Sequence, residues 1–390
     1  MKCTKQIIIF LIVFILLSAS CSSGAEISGG ENSGKVQITH SSSETAGEIV
    51  SATTLQRIST LEWTCAQDLA TPPRGLAPLA GKVRGSLLEG ARSLAMAEMP
   101  SVAIITGFWI IKKEVQKPDG AIEYLGNASE TDGPVGTAHL AAGLARAGIP
   151  VRVVTDKPNE SAVRVALEEA TRGSEVIVPL EVVPWDLPDT SITVDDTLQE
   201  NMAKATSAIA GMVERWKSNK ITHVMALERV GPARSDGRPH NMVGVDVRAY
   251  TAPLHLLYEA GGWTKLAVGD GGNEIGMGSL DRELIQKSIT NGKGGIIASA
   301  TSADYLQVCG VSNWGGPTFL FALALLRPEI AERLLAGLTP EKDRAILWAV
   351  VEKGPAVDGI RGTRELSVDN MDWEKHAELL KQLWRAYSGR

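Results

Sequence analysis

The residues of this chain best suited to chemistry lie in three acid-bearing stretches. Asp270-Gly271-Gly272-Asn273-Glu274 follows a short apolar run, 265–268, and precedes a predicted helix over 280–289. Glycines between a strand and a helix let backbone N–H groups turn toward an anion, and the helix N-terminus adds a favourable field. Two carboxylates in such a nest repel an anionic ligand unless a cation lies between them. The expectation is therefore an anionic ligand held through a divalent metal. The spacing is not G-x-G-x-x-G, so no dinucleotide fingerprint is present.

The second stretch runs from Glu228 to Asp246 and packs Arg229, Arg234, Asp236, His240 and Asn241 among turn formers. The third, Glu130-Thr131-Asp132-Gly133-Pro134, precedes a predicted helix whose first position suits Pro134. Oxygen donors at this density suit Mg²⁺ or Mn²⁺ rather than Zn²⁺, which recruits His or Cys. Glu228, Asp236, Asp246, Asp270 and Asn273 are the candidate metal ligands. Glu130, Asp132, Asp270 and Glu274 are the candidate catalytic carboxylates, with His240 as a further acid or base. Arg229 and Arg234 can hold a substrate carboxylate or phosphate. Asn241, Gly271, Gly272 and Asn313 complete the candidate substrate-binding set. No G-x-S-x-G occurs, and Cys309 sits in an apolar run, which argues against an acyl-enzyme. The chemistry that remains is metal-activated water attacking a carbonyl or phosphoryl centre.

Those stretches need strands to present them. Apolar runs at 102–106, 151–155, 175–180, 223–227, 265–268, 295–299 and 305–311 read as strands, most separated by helical periodicity. This predicts an α/β fold: a largely parallel sheet flanked by helices, in Rossmann-like layers with a helical C-terminal part. The acid-bearing stretches then share the rim at the strands' carboxyl ends. The segment 312–317 reads as a loop. Residues 1–25 have the layout of a secretory signal, with Lys2 and Lys5 before an apolar run over 7–17. That run is too short to span a bilayer. Residues 26–60 read as a flexible linker and 61–390 as the folded domain.

A net charge of −6 over 390 residues excludes a nucleic-acid binder, which needs a basic face. The four cysteines, Cys3, Cys21, Cys65 and Cys309, have no metal-knuckle or disulfide-framework spacing. The partner expected is a small acid or phosphoester, and self-association into a homo-oligomer is left open.

In their order along the chain, Glu130-Thr131-Asp132-Gly133-Pro134, the Glu228-Arg229 to Asp246 stretch, Gly269 to Gly278, Ser312-Asn313-Trp314-Gly315-Gly316 and Ala356-Val357-Asp358-Gly359 resemble the D-glutamate cyclase C-terminal domain family. The resemblance spans roughly 102–362. It implies an enzyme converting 5-oxo-D-proline and water to D-glutamate, as the mitochondrial two-domain eukaryotic relatives do. Their separate hydratase-like domain has no counterpart here, and single-domain microbial relatives are associated with metal-dependent phosphatase activity. On the first implication Asp270, Glu274 and Asp236 position a metal or the water. Glu130 or Asp132 is then the general base, and Arg229 or Arg234 holds the free carboxylate. The alternatives are a Mn²⁺- or Mg²⁺-dependent phosphatase using the same carboxylates and a non-catalytic small-acid binding protein. The N-terminus implies export, with a mitochondrial location as the alternative drawn from the relatives.

Overall fold

The computed structural model describes residues 50–111, 113–116, 122–125, 127–188 and 194–390. The signal-like segment and residues 26–49 lie outside them. Six strands form the central sheet: β1 (Val102–Thr106), β2 (Val151–Asp156), β3 (Leu180–Val183), β4 (His223–Leu227), β5 (Thr264–Gly269) and β6 (Tyr305–Val308). Their order is β3-β2-β1-β4-β5-β6, and every neighbouring pair is parallel. β1 and β4 are buried along their whole length, as expected of strands covered on both faces.

Alternation along each strand feeds two cores. Val102 and Ile104 of β1, with Met225 and Leu227 of β4, pack toward helices Pro134–Arg146 and Ser312–Leu326. Ala103 and Ile105, with Val224 and Ala226, pack on the other face against Ile209, Trp216 and Tyr258. The first two helices cross closely: a Cβ on Gly316 would stand 2.1 Å from the Gly136 carbonyl oxygen.

The chain leaves β1 for β2 on one side and later returns to β4 on the other. The carboxyl ends of β1 and β4 therefore diverge, and such a switch point is where open α/β sheets bind ligands. Between β1 and Glu130 the chain makes a small antiparallel excursion, in which Lys113–Gln116 pairs with Ile122–Leu125.

Four sequence expectations need correction. The folded part begins before 61, because Ser51 accepts the Thr54 N–H and starts helix Ala52–Cys65, which buries Ile58 and Leu61. The strand expected at 175–180 is β3, shifted to Leu180–Val183 by its register against β2. The strand expected at 295–299 is a short helix, Gly294–Ile297; a Cβ on Gly294 would stand 2.4 Å from the Ile285 carbonyl oxygen. The loop expected at 312–317 is the first turn of helix Ser312–Leu326, whose leading amides find carboxylate acceptors. Among the described residues no helix is long and apolar enough to cross a membrane.

Candidate active site

Three neighbouring strands of the sheet deliver the site. Glu228 follows β4 directly, Asp270 follows β5, and Asp132 follows the excursion that leaves β1. One carboxylate oxygen from each of Asp132, Glu228 and Asp270 lies within 4.8 Å of the others. Glu228 adopts φ +46°, a conformation costly for a residue with a side chain and retained where the surroundings enforce it. Its Oε2 is buried without a hydrogen-bond partner among the described residues.

Backbone donors fix the other two acids. Asp132 Oδ1 accepts from Gly133 and Asn313 at 2.9 and 2.6 Å, and its Oδ2 accepts from Ser312 at 2.9 Å. The same Ser312 N–H reaches Asp270 Oδ2 at 3.1 Å. The positive end of helix Ser312–Leu326 thus faces two carboxylates. Glu130 joins through a bridge to Val357, with Thr131 donating to the Val357 carbonyl and Val357 donating to that of Ser129, both at 2.9 Å. Its side chain lies over Gly359, where any Cβ would stand 1.6 Å from Oε1. Glycine is the residue that fits there.

A cation and a further acid complete the cluster. Arg74 Nη1 stands 3.3 Å from Asp270 Oδ2 and 3.0 Å from Asp369 Oδ2, and Nη2 donates to the Gly310 carbonyl. Glu130, Asp132, Glu228, Asp270 and Asp369 are each at most 8% exposed. Burial pushes Asp270 up to about 6 and Asp369 to about 7, against the opposing pull of Arg74 on both. Burial, then the neighbouring acids, hold Glu130, Asp132 and Glu228 well above the usual carboxylate range. Arg74 is raised: its own burial is outweighed by Asp270, Asp369, Asp132 and Asp68. Five buried acids thus face one guanidinium.

The other sequence-derived candidates lie elsewhere or serve the scaffold. Glu274 fills the glycine nest itself: Oε1 accepts from Asp270 and Gly271 at 2.9 and 2.6 Å, and Oε2 from Gly272 at 2.8 Å. The nest's anion is therefore a side chain of the same loop, which corrects the expectation that Gly271 and Gly272 bind substrate. Arg229 is fully buried, donating to Asp156 and to the Gly107 and Ala252 carbonyls. Arg234 donates to the Gly278 carbonyl. Arg229 is thereby closed off from any substrate, whereas Arg234 is exposed and stands at the outer end of its loop.

Asp236 and Asp246 are not in the three-acid group. Asp236 is half-exposed and pairs with His240 at 3.0 Å, and Asp246 pairs with Arg248 at 3.1 Å. Asn273 Nδ2 donates to the His240 carbonyl, which ties the two loops together. Asn241 closes its own turn by accepting from Val243 and Val245. Asn313 caps the Pro134–Arg146 helix, accepting from Gly133 and Gly136.

Residues 61–384 match the family described as D-glutamate cyclase-like, C-terminal. The chain belongs to that family. It is also similar to a human protein, D-glutamate cyclase, mitochondrial, at 28% identity over 238 residues, 60% of this chain. The match covers 34% of the human protein, about a third of its length.

Sequence reasoning missed two residues of the D-glutamate cyclase-like site, Arg74 and Asp369. Arg74 follows Thr71-Pro72-Pro73, a turn-forming string whose ionisable residue was a usable signal. Asp369-Asn370, both at positive φ, turn the chain between Ser367–Val368 and Met371–Asp372. An Asp-Asn pair between short apolar steps is the hairpin signal that would have marked it.

Proposed function

We propose that this chain opens the lactam ring of 5-oxo-D-proline with water to give D-glutamate. The observation that carries the reading is the buried, oxygen-only group of Asp132, Glu228 and Asp270 at the switch point of a D-glutamate cyclase-like chain. A lactam is uncharged at its reacting carbonyl, which suits an acid-rich floor better than a phosphoester dianion does. The donor set and the partnerless Glu228 Oε2 fit a hard divalent cation, Mg²⁺ or Mn²⁺. Asp132, Glu228 and Asp270 would hold it, and such an ion supplies Lewis acidity and makes water a better nucleophile.

In the reaction water adds to the lactam carbonyl carbon, the C–N bond breaks, and the ring nitrogen leaves as an amine. Glu130 is the proton carrier in this reading, because Asp132, Glu228 and Asp270 would be engaged by the ion. Burial and the neighbouring acids raise the Glu130 carboxyl well above its usual range, which favours a group that takes and returns a proton.

The test uses the full chain, stripped of metal and resupplied with Mn²⁺ or Mg²⁺. 5-Oxo-D-proline, its L-enantiomer and a phosphoester are followed in parallel, with Glu228→Gln as the control. Metal-dependent opening of the D-lactam, lost in the variant, is expected. Phosphate release alone would move the assignment to a phosphatase, and ligand stabilisation without turnover to a binding protein. For location the signal-like segment supports export, and the human relative is described as mitochondrial; fractionation of a tagged full chain decides between them.

A further inference from the structure

An anionic substrate cannot enter a group of five buried acids without a cation to meet it and a way to keep the charge balanced. Arg229 is buried in the scaffold, and Arg234 is an exposed residue outside the group of five acids. Arg74 is at the cluster, and its backbone is held by groups other than Asp270 and Asp369. Thr290 donates to the Arg74 carbonyl at 3.1 Å, and the next amide, Gly75, donates to Asp68 Oδ2 at 2.7 Å. Its Nε is a buried donor without an acceptor among the described residues.

The two carboxylates on Arg74 differ in how firmly they are held. Asp270 also accepts the Ser312 N–H and follows a central strand. The hydrogen bond described for the Asp369 carboxylate is the one to Arg74, and Asp369 sits at the tip of a two-residue turn. It is a carboxylate placed on a guanidinium at 3.0 Å, which is the contact a substrate carboxylate would make.

We propose that Arg74 receives the carboxylate of the substrate and that Asp369 occupies that position until the substrate arrives. Exchange of one carboxylate for another keeps Arg74 paired throughout, with the displaced Asp369 carboxylate turned away from the guanidinium. The Asp369 side chain has then to rotate, not the sheet. This assignment rests on the lactam reading above for the identity of the substrate.

The test compares 5-oxo-D-proline with 2-pyrrolidinone, the same lactam without its carboxylate, on the full chain with Mn²⁺. Calorimetric Kd and kcat/KM are both measured. The parent protein favours the carboxylated lactam, and Arg74→Met collapses that preference by about 10- to 100-fold, the scale of a lost charge-assisted hydrogen bond. Arg74→Lys restores part of it. Asp369→Ala lowers KM for 5-oxo-D-proline several-fold, because the competing carboxylate is gone.

An Arg74→Met protein that loses both lactams alike, with the ratio intact, overturns the anchor. An Asp369→Ala protein with unchanged or raised KM overturns the exchange. If Arg74→Met does not fold, Arg74→Lys and Asp369→Ala decide. A parent protein that binds 5-oxo-D-proline without opening it sinks the lactam reaction, while the Kd ratio still judges Arg74. A parent that binds neither lactam overturns both.

Discussion

Asp132 and Asn313 cap each other's helices. Asp132 accepts the Asn313 N–H at 2.6 Å, while Asn313 Oδ1 accepts from Gly133 and Gly136 at 2.9 and 2.8 Å. The cap exchange locks a site carboxylate to the point where helices Pro134–Arg146 and Ser312–Leu326 cross. Asn313→Ala takes the side-chain acceptor from the Gly136 amide and the Nδ2 donor from the Thr131 carbonyl, while Gly133 keeps Asp132, and a loss of about 2–4 kcal/mol is expected in urea unfolding. Asn313→Asp sets a second carboxylate against Asp132 and should also weaken Mn²⁺ binding. An Asn313→Ala protein as stable as the parent would remove the cap exchange from the account.

Glu274 separates a scaffold role from a catalytic one. Three backbone N–H groups converge on its two oxygens. Glu274→Gln turns an amide donor toward one of them, and a stability loss of about 1–3 kcal/mol is expected. A variant that keeps its thermal midpoint and loses turnover would return Glu274 to the chemistry.

Arg229 and Asp156 are both fully buried, so either partner left alone is an uncompensated charge. Asp156→Asn or Arg229→Met should each cost about 3–5 kcal/mol, and the double replacement less than the sum. Equilibrium unfolding of the four proteins measures the coupling. An effect confined to KM, with stability intact, would restore Arg229 to substrate binding.

Stability without metal should fall as pH rises. Asp270 and Asp369 titrate near 6 and 7 when folded, above the unfolded value of about 3.9, so the folded state holds more protons in between. Their stabilising contribution is full below about pH 4 and is lost as pH passes through 6 and 7. Asp369→Asn removes part of that loss, and its midpoint at pH 8 with chelator should exceed the parent's by a few degrees. His223, pushed down to about 4 by burial, acts oppositely below about pH 6.5, but parent and variant share it. Parallel slopes for the two proteins would refute the assignment.

The strand runs were legible because burial on both faces writes continuous apolar stretches, as at Val102–Thr106 and His223–Leu227. The acid loops were legible as loops, and Glu130, Asp132, Glu228 and Asp270 do converge. Strand order was not, since parallel pairing depends on crossovers that leave no local pattern. Without it, Asp236 and Asp246 could not be separated from Glu228, which shares their loop. Glu274 was misjudged for a physical reason: a loop that supplies its own anion has the same composition as one awaiting a ligand. The turn residues Ser312-Asn313-Trp314-Gly315-Gly316 concealed a helix start because its caps come from Asp132 and Asp270, far away in sequence.

Arg74 precedes every strand of the sheet in sequence and Asp369 follows every one. During synthesis the acids of the switch point are therefore all made before Asp369 exists. The hairpin that seats Asp369 against Arg74 is followed by the helix Trp373–Ser388, whose Leu379, Leu380 and Leu383 close the core on one face of the sheet. The Arg74–Asp369 pair is then the last contact of the rim to become available.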